Sequence, residues 1–149
     1  MMKWHKTVMI SAPIDEVFHL FKVENFHKVK PELKRIEEIR KTPDKVGSTY
    51  RVTHEEHGKT IQYIVTLDRY DDDADTKLLR FSYTISNFFQ KSTQYKLIKK
   101  QQRETELIYS GEMRGKYFLG NIILKMLSKS HHDQTIETFL LRIKNLYKD

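Results

Sequence analysis

The sequence contains no cysteine among its 149 residues. It therefore has no disulfide framework, no thiol nucleophile and no zinc site built on thiolates. Proline and glycine are scarce, with three and five residues, whereas Phe and Tyr contribute eight residues each. Collagen-like, low-complexity and disordered chains have few aromatic and β-branched residues, so the composition excludes these three classes. The length is that of one ordinary domain, so we predict a single folded domain over residues 1–149.

Long hydrophobic runs are also missing. The longest apolar stretch, Tyr117–Leu127, is interrupted by Asn121 and Lys125, whereas a membrane-spanning helix needs about 18 apolar residues. The first six residues, Met-Met-Lys-Trp-His-Lys, lack the apolar region of a secretory signal. We therefore expect no membrane span and a cytoplasmic location.

The net charge of +7 is unevenly distributed along the chain. Residues 1–90 carry 15 basic and 14 acidic side chains, whereas residues 91–149 carry 12 and 6. Such an excess can be an ordinary solvated surface, or it can attract RNA, a ribosome or an anionic membrane. The candidate basic patch is Lys96, Lys99, Lys100 and Arg103. Its interleaved aromatic residue, Tyr95, is expected to face inward, which weighs against nucleic acid because base stacking needs exposed rings.

The N-terminal pattern predicts a strand followed by a helix. Apolar residues alternate over Lys3–Ile10, which is typical of a strand. Pro13 follows, at a place where its missing N–H is tolerated in the first turn of a helix. An apolar stripe formed by Ile14, Val17, Phe18 and Phe21 predicts a helix that ends near Val23 or Glu24. A second short helix is predicted over Asn25–Lys30.

The middle of the chain has a period of two and predicts six further strands. Turn residues separate successive segments at the short spacing typical of an antiparallel sheet. The predicted strands are Lys34–Lys41, Ser48–Glu55, Thr60–Tyr70, Lys77–Ser86, Lys91–Lys100 and Thr105–Arg114.

After residue 115 the helical period returns and predicts one long helix over Tyr117–Tyr147. Its apolar face, Ile136, Phe139, Leu140, Ile143 and Leu146, needs a cover, and the sheet is the available one. We predict an α+β fold in which a seven-stranded curved antiparallel sheet wraps around this helix. The space between a bent sheet and a single helix is a possible ligand cavity.

Two segments resemble the START/Bet v 1-like (SRPBCC) superfamily. The stretch Val8–Phe18 (Val-Met-Ile-Ser-Ala-Pro-Ile-Asp-Glu-Val-Phe) is similar to its entry motif, and Lys45–Tyr50 (Lys-Val-Gly-Ser-Thr-Tyr) to a later Val-Gly step before a strand. The resemblance implies a helix-grip fold with a deep hydrophobic cavity. The superfamily binds sterols, lipids, polyketides and other apolar molecules, and some members are cyclases or dehydratases.

The resemblance also favours some branches of the superfamily over others. No catalytic constellation is shared across the superfamily, so none is transferred to this chain. The tryptophan-rich segment of the Hsp90-activator-like branch is absent, since Trp4 is the only tryptophan. The sequence is therefore more similar to the polyketide cyclase/dehydratase-like and coenzyme-Q-binding-like branches than to the Hsp90-activator-like branch.

The candidate site residues lie on the predicted inward faces of the sheet and helix. Tyrosine hydroxyls can orient a ligand, although a buried Tyr also packs in an ordinary core. Counting back from Ile136 and Phe139 places His132 on the face turned towards the sheet, where it could bind a ligand, act as an acid or base, or simply be a satisfied core histidine. The predicted ligand-binding residues are Tyr63, Leu79, Phe81, Tyr83, Tyr95, Leu97, Leu107, Tyr109, His132, Ile136, Phe139 and Leu140.

Three functions follow as hypotheses. We expect a protein that binds a small hydrophobic molecule, such as a lipid, polyketide or isoprenoid-like compound, with no cofactor and no metal. One alternative is a cyclase/dehydratase-type enzyme with His132 as general base and a cavity Tyr stabilising an enolate. The other is an interaction protein whose basic C-terminal third docks on RNA, a ribosome or an anionic membrane. The sequence carries no signal for an oligomeric state.

Overall fold

The computed structural model describes residues 2–56, 58–85, 89–115 and 129–148. Every predicted strand is present, and each strand end lies within two residues of its predicted position. The elements are β1 (Met2–Ile10), α1 (Ile14–Leu20), a 3₁₀ helix (Val23–Lys28), β2 (Leu33–Arg40), β3 (Thr49–Glu56), β4 (Lys59–Asp72), β5 (Thr76–Ile85), β6 (Phe89–Gln101), β7 (Glu104–Gly115) and α2 (Lys129–Leu146).

The seven strands form one antiparallel sheet in the order β1-β7-β6-β5-β4-β3-β2. The first strand pairs with the last, and every other strand pairs with its neighbour in the chain. Register shifts interrupt the ladder within β2, between Leu67 and Arg69, and between Lys99 and Gln101. Such irregularities bend a strand and increase its twist, which is how this sheet becomes curved as predicted.

The helix after β1 begins where the sequence predicts it, but it ends earlier than predicted. Pro13 precedes α1 in an extended conformation, with φ −62° and ψ 147°. The prediction that α1 reaches Val23 or Glu24 is wrong, because α1 ends at Leu20. The N–H of Phe21 bonds to the carbonyl of Phe18, which tightens the last turn. The second helix also differs: it is a 3₁₀ helix over Val23–Lys28, not a helix over Asn25–Lys30.

The C-terminal helix packs on the sheet through its predicted apolar face. The predicted start of this helix at Tyr117 lies outside the described residues. Four residues of the face are buried, namely Ile136, Phe139, Leu140 and Ile143. The prediction that Leu146 belongs to the buried face is wrong, since this residue is 50% exposed. Tyr147 packs against the core in its place, and its hydroxyl lies 3.4 Å from the carbonyl oxygen of Glu16.

The hydrophobic core lies between the concave face of the sheet and the helices. Alternate residues of β6 and β7 are buried there, among them Tyr95, Leu97, Leu107 and Tyr109. Beside them, the buried hydroxyl of Thr105 donates to the carbonyl of Ala12 at 2.8 Å. This bond joins β7 to the turn that leads into α1, so the short helix is held over the sheet.

Candidate functional site

One cavity lies between the concave face of the sheet and the segment that links α1 to β2. We call it the inner cavity, and its volume is about 60 Å³. Side chains from β2 through β6 form its floor, and the 3₁₀ helix closes one side. It is lined by Phe21, Val23, Phe26, Lys30, Leu33, Ile36, Tyr50, Val52, Tyr63, Val65, Phe81, Tyr83 and Lys91.

A second space adjoins the inner cavity between α2 and the sheet. This helix groove has a volume of about 340 Å³ and shares Lys30 and Lys91 with the inner cavity. Small-molecule sites in proteins enclose roughly 300–1,000 Å³, so the helix groove is of ligand size and the inner cavity by itself is smaller. The groove is lined by Lys30, Glu32, Lys91, Tyr109, Met113, His132, Gln134, Thr135, Ile136, Thr138, Phe139 and Arg142.

Phenol hydroxyls supply most of the polar atoms of the inner cavity. The Tyr83 hydroxyl lies 3.0 Å from the hydroxyl of Thr93. Burial raises the pKa of Tyr83 to about 12, although the hydrogen bond with Thr93 opposes that rise. Burial, together with the nearby Tyr83, also raises the pKa of Tyr63. Both phenols therefore stay protonated at neutral pH and can donate hydrogen bonds.

Lys91 is the functional candidate that the sequence reasoning missed. It lies opposite Tyr83 on β5 and Met113 on β7. Its Nζ is 5.5 Å from the centre of the Tyr83 ring and 5.7 Å from that of Trp4. Burial, and secondarily the positive charge of Lys30, lowers the pKa of Lys91 to about 7. A signal is present in the sequence, because Lys91 has the same parity on β6 as Tyr95, which is expected to face inward.

The remaining charged groups of the groove are arranged around α2. Lys30 lies with its Nζ 5.1 Å from the centre of the Phe139 ring. Arg142 forms an ion pair with Glu32 at 3.6 Å and approaches the carbonyl of Val29 at 3.5 Å. Glu32 thus faces a cation on the helix, although its buried Oε2 has no hydrogen-bond partner among the described residues.

His132 lies on the face of α2 that is turned towards the sheet, where its ring centre is 4.9 Å from that of Trp4. It lines the helix groove together with Tyr109, Ile136 and Phe139. The Tyr109 ring packs 5.3 Å from Phe139, and burial raises the pKa of its hydroxyl. An imidazole and a phenol thus line the same groove.

The structure divides the predicted ligand-binding residues among three cavities and the packed core. Tyr63, Phe81 and Tyr83 line the inner cavity, and Tyr109, His132, Ile136 and Phe139 line the helix groove. Leu79 lines a neighbouring cavity of about 230 Å³ that also touches Phe81. The others belong to the packed core, with Tyr95, Leu97, Leu107 and Leu140 between 0% and 5% exposed. Of the aromatic lining, Phe21, Phe26 and Tyr50 were not predicted.

Packing against other aromatic rings explains why Tyr95 does not face the inner cavity. It stacks on Tyr109 with ring centres 5.0 Å apart and an interplanar angle of 2°. Phe21 covers it from the α1 side at 4.7 Å. These contacts enclose the ring completely, so a position that shares the parity of Lys91 contributes to stability instead of to the cavity.

Solved structures share this architecture at low sequence identity. A START superfamily protein from Mycobacterium smegmatis is 15% identical, with a TM-score of 0.76 over 97% of this chain and 96% of its own. The Zhui aromatase/cyclase from Streptomyces sp. R1128 is 13% identical, with a TM-score of 0.70 over 99% and 96%. The chain has the START/Bet v 1-like fold. No protein-family model and no curated protein sequence matches it.

Norcoclaurine synthase from Thalictrum flavum has the START/Bet v 1-like fold of this chain and an occupied site. Its structure in complex with dopamine and hydroxybenzaldehyde is 12% identical, with a TM-score of 0.66 over 97% of this chain and 85% of that one. At such identity the likeness concerns the fold alone. The branch predicted from the sequence, polyketide cyclase/dehydratase-like or coenzyme-Q-binding-like, stays a prediction.

The surface of this START/Bet v 1-like fold carries the predicted basic patch. Lys99, Lys100 and Arg103 are exposed at the β6–β7 turn, and Lys96 is half-buried. Lys100 forms an ion pair of 3.9 Å with Glu106. Among the described residues, no helix is both long and apolar enough to cross a bilayer. In those same ranges, no three His, Asp or Glu side chains are grouped to hold a metal ion.

Proposed function

We propose that this chain binds a small hydrophobic molecule in the inner cavity and the adjoining helix groove. The observation that carries the proposal is the lining: apolar and aromatic side chains with a few phenols and amines, enclosed between sheet and helix. Burial of apolar ligand surface there would be worth about 25 cal/mol per Å². The hydroxyls of Tyr63 and Tyr83 would orient the polar part of the ligand.

The structural neighbours support this function. They include an aromatase/cyclase and a synthase whose structure holds dopamine and hydroxybenzaldehyde, both small aromatic molecules. The neighbours match 97–99% of this chain, which supports one START/Bet v 1-like domain over residues 1–149.

Native mass spectrometry of freshly purified protein, followed by denaturation, tests the proposal directly. We expect an apolar adduct of one molecule per chain, whose chemical class is identified after release. A polarity-sensitive neutral fluorophore, N-phenyl-1-naphthylamine, then measures binding to the stripped protein. We expect its fluorescence to saturate near one equivalent.

A pair of matched variants on β4 locates the binding site. Val65 is buried and lines the inner cavity, whereas Ile61 on the same strand is 47% exposed. In Val65→Phe the larger ring occupies the cavity, so fluorophore affinity should fall at least about tenfold, or about 1.4 kcal/mol. Ile61→Phe should bind like the wild type. Equal binding by both variants would contradict the proposed site.

A cyclase/dehydratase-type reaction is a second candidate function. It is favoured by one observation, namely that His132 and Tyr109 line the same groove. His132 would take a proton from a bound polyketide-like substrate, and a phenol would stabilise the resulting enolate. The test is His132→Ala, which should abolish turnover of such a substrate and leave fluorophore binding within about twofold of the wild type.

A further inference from the structure

The charge of the inner cavity indicates what its ligand carries. Its lining includes two lysines, Lys30 and Lys91, and three tyrosines, and among the described residues it includes no aspartate or glutamate. Lys91 is half-buried, and a cation that loses part of its water is costly unless an anion or a set of hydrogen-bond acceptors faces it. Lys91 therefore borders a cavity whose described lining contains hydrogen-bond donors and no carboxylate.

Among the described residues, the groups around the Lys91 amine are aromatic rings and not carboxylates. Its Nζ faces the rings of Tyr83 from β5 and Trp4 from β1, at 5.5 and 5.7 Å. Lys30 shares both spaces with it. Glu32, the carboxylate among the described lining of the groove, forms an ion pair with Arg142 of α2 at 3.6 Å. Aromatic faces alone compensate poorly for the loss of water around an ammonium group.

A bound anion would change the protonation of the Lys91 amine. Burial and the charge of Lys30 lower the pKa of Lys91 to about 7. An opposite charge at close range favours the protonated amine and would raise that pKa again. A ligand that brings such a charge should therefore bring a proton into the cavity with it.

We propose that the ligand is amphipathic, with an apolar body that occupies the helix groove and extends into the inner cavity, and a carboxylate that pairs with Lys91 at the border of the two spaces. This inference rests on the hydrophobic ligand proposed above and adds the chemistry of its head group. Tyr63 and Tyr83 line the same cavity and can donate to the second carboxylate oxygen. A cationic head group would be repelled by both lysines, and a neutral one would leave Lys91 without a counter-charge.

Two probes of equal chain length, decanoate and decanol, test the head group. Trp4 is the only tryptophan in the sequence and lies 5.7 Å from Lys91 Nζ, so its fluorescence reports occupancy. At pH 7 the wild type should bind decanoate at least about tenfold tighter than decanol, since a hydrogen bond to a charged group is worth about that factor. Calorimetry provides an independent affinity.

Matched variants on β6 separate the anchor from general surface charge. Lys91→Met keeps the length of the side chain and removes its charge, and it should abolish the preference for decanoate while decanol still binds. Lys96→Met lies on the same strand with the opposite parity, and it should keep the preference. Circular dichroism confirms the fold of each variant.

A measurement on the wild type keeps the test independent of any variant. At pH 8, Lys91 is mostly neutral in the free protein, so decanoate binding should take up close to one proton per ligand, and decanol binding none. Calorimetry in buffers of different ionisation enthalpy measures this uptake. Absence of proton uptake, or equal affinity for the two probes, overturns the carboxylate anchor and leaves the hydrophobic cavity intact. If neither probe nor the neutral fluorophore binds, the proposed function fails together with the inference.

Discussion

Gly111 of β7 lies directly opposite Trp4 of β1, and the indole ring of Trp4 occupies the space beside its Cα. A Cβ at this position would overlap the ring and the main-chain oxygen of Ser92. The indole in turn contacts His132 and faces the amine of Lys91. A glycine therefore sets the position of an aromatic ring that packs beside the half-buried Lys91.

Gly111→Ala should displace Trp4 and destabilise the fold. Overpacking of this kind costs about 1–3 kcal/mol, and the displaced indole should emit at longer wavelength. Urea unfolding followed by tryptophan fluorescence measures both effects. Ser110→Ala, on the same strand, is the control and should stay within about 0.5 kcal/mol of the wild type. An unchanged emission maximum in Gly111→Ala would contradict the packing described here.

Lys91 should make stability depend on pH in the alkaline range. Its pKa is lowered from 10.5 to about 7 in the folded protein, so between these values the unfolded chain binds the extra proton. Stability should therefore rise with pH from about 7 to about 10, and the cost of holding the protonated amine in the fold is fully present below about 7. Thermal melts from pH 6 to 10 measure the slope.

Lys91→Met removes this titration and is the matching variant. It should be more stable than the wild type at pH 6, and the advantage should vanish above about pH 10.5. Each unit of pKa difference corresponds to about 1.4 kcal/mol, so a gain of a few kcal/mol at low pH is expected. A variant less stable than the wild type at pH 6 would show that the amine has a stabilising partner.

The buried tyrosines should produce the opposite slope at higher pH. Burial raises the pKa of Tyr63, Tyr83, Tyr95 and Tyr109 above 10 in the folded protein. Their contribution is fully present below about pH 10 and is lost as the pH rises, because only the unfolded chain releases those protons. Absorbance at 295 nm should show these phenols ionising with unfolding, and in Tyr83→Phe the destabilisation near pH 12 should be smaller.

Lys77 should stabilise the contact between α1 and the β4–β5 hairpin. Its side chain is 4% exposed, and its Nζ contacts the carboxylates of Asp72 and Asp15, the latter at 3.0 Å. Lys77→Met should lower the free energy of unfolding by about 1–3 kcal/mol, the range for lost hydrogen bonds to charged groups. Asp71→Asn breaks the exposed pair with Arg69 in the same hairpin and should cost at most about 1 kcal/mol. Urea unfolding compares them, and equal losses would contradict the assignment.

Most of the fold could be predicted because its signals are local. The alternation over Lys3–Ile10 and the polar turns between later segments reproduced every strand, since side-chain period and turn chemistry depend on neighbouring residues. The end of α1 could not be predicted in this way. Phe21 continues the apolar stripe, but its ring packs on Tyr95 from outside the helix, a contact that depends on residues far away in the chain.

The candidate site was predicted in part, and β6 shows why. Its period of two was sufficient to assign Tyr95 to the inner face of the sheet, and by the same count Lys91. What covers each position was decided only by the tertiary structure: Phe21 and Phe139 pack against Tyr95 and enclose it in the core, whereas Lys91 borders the inner cavity and the helix groove. Strand periodicity determines the side on which a residue lies. Whether that residue packs or lines a cavity depends on elements distant in sequence, whose contacts no local pattern records.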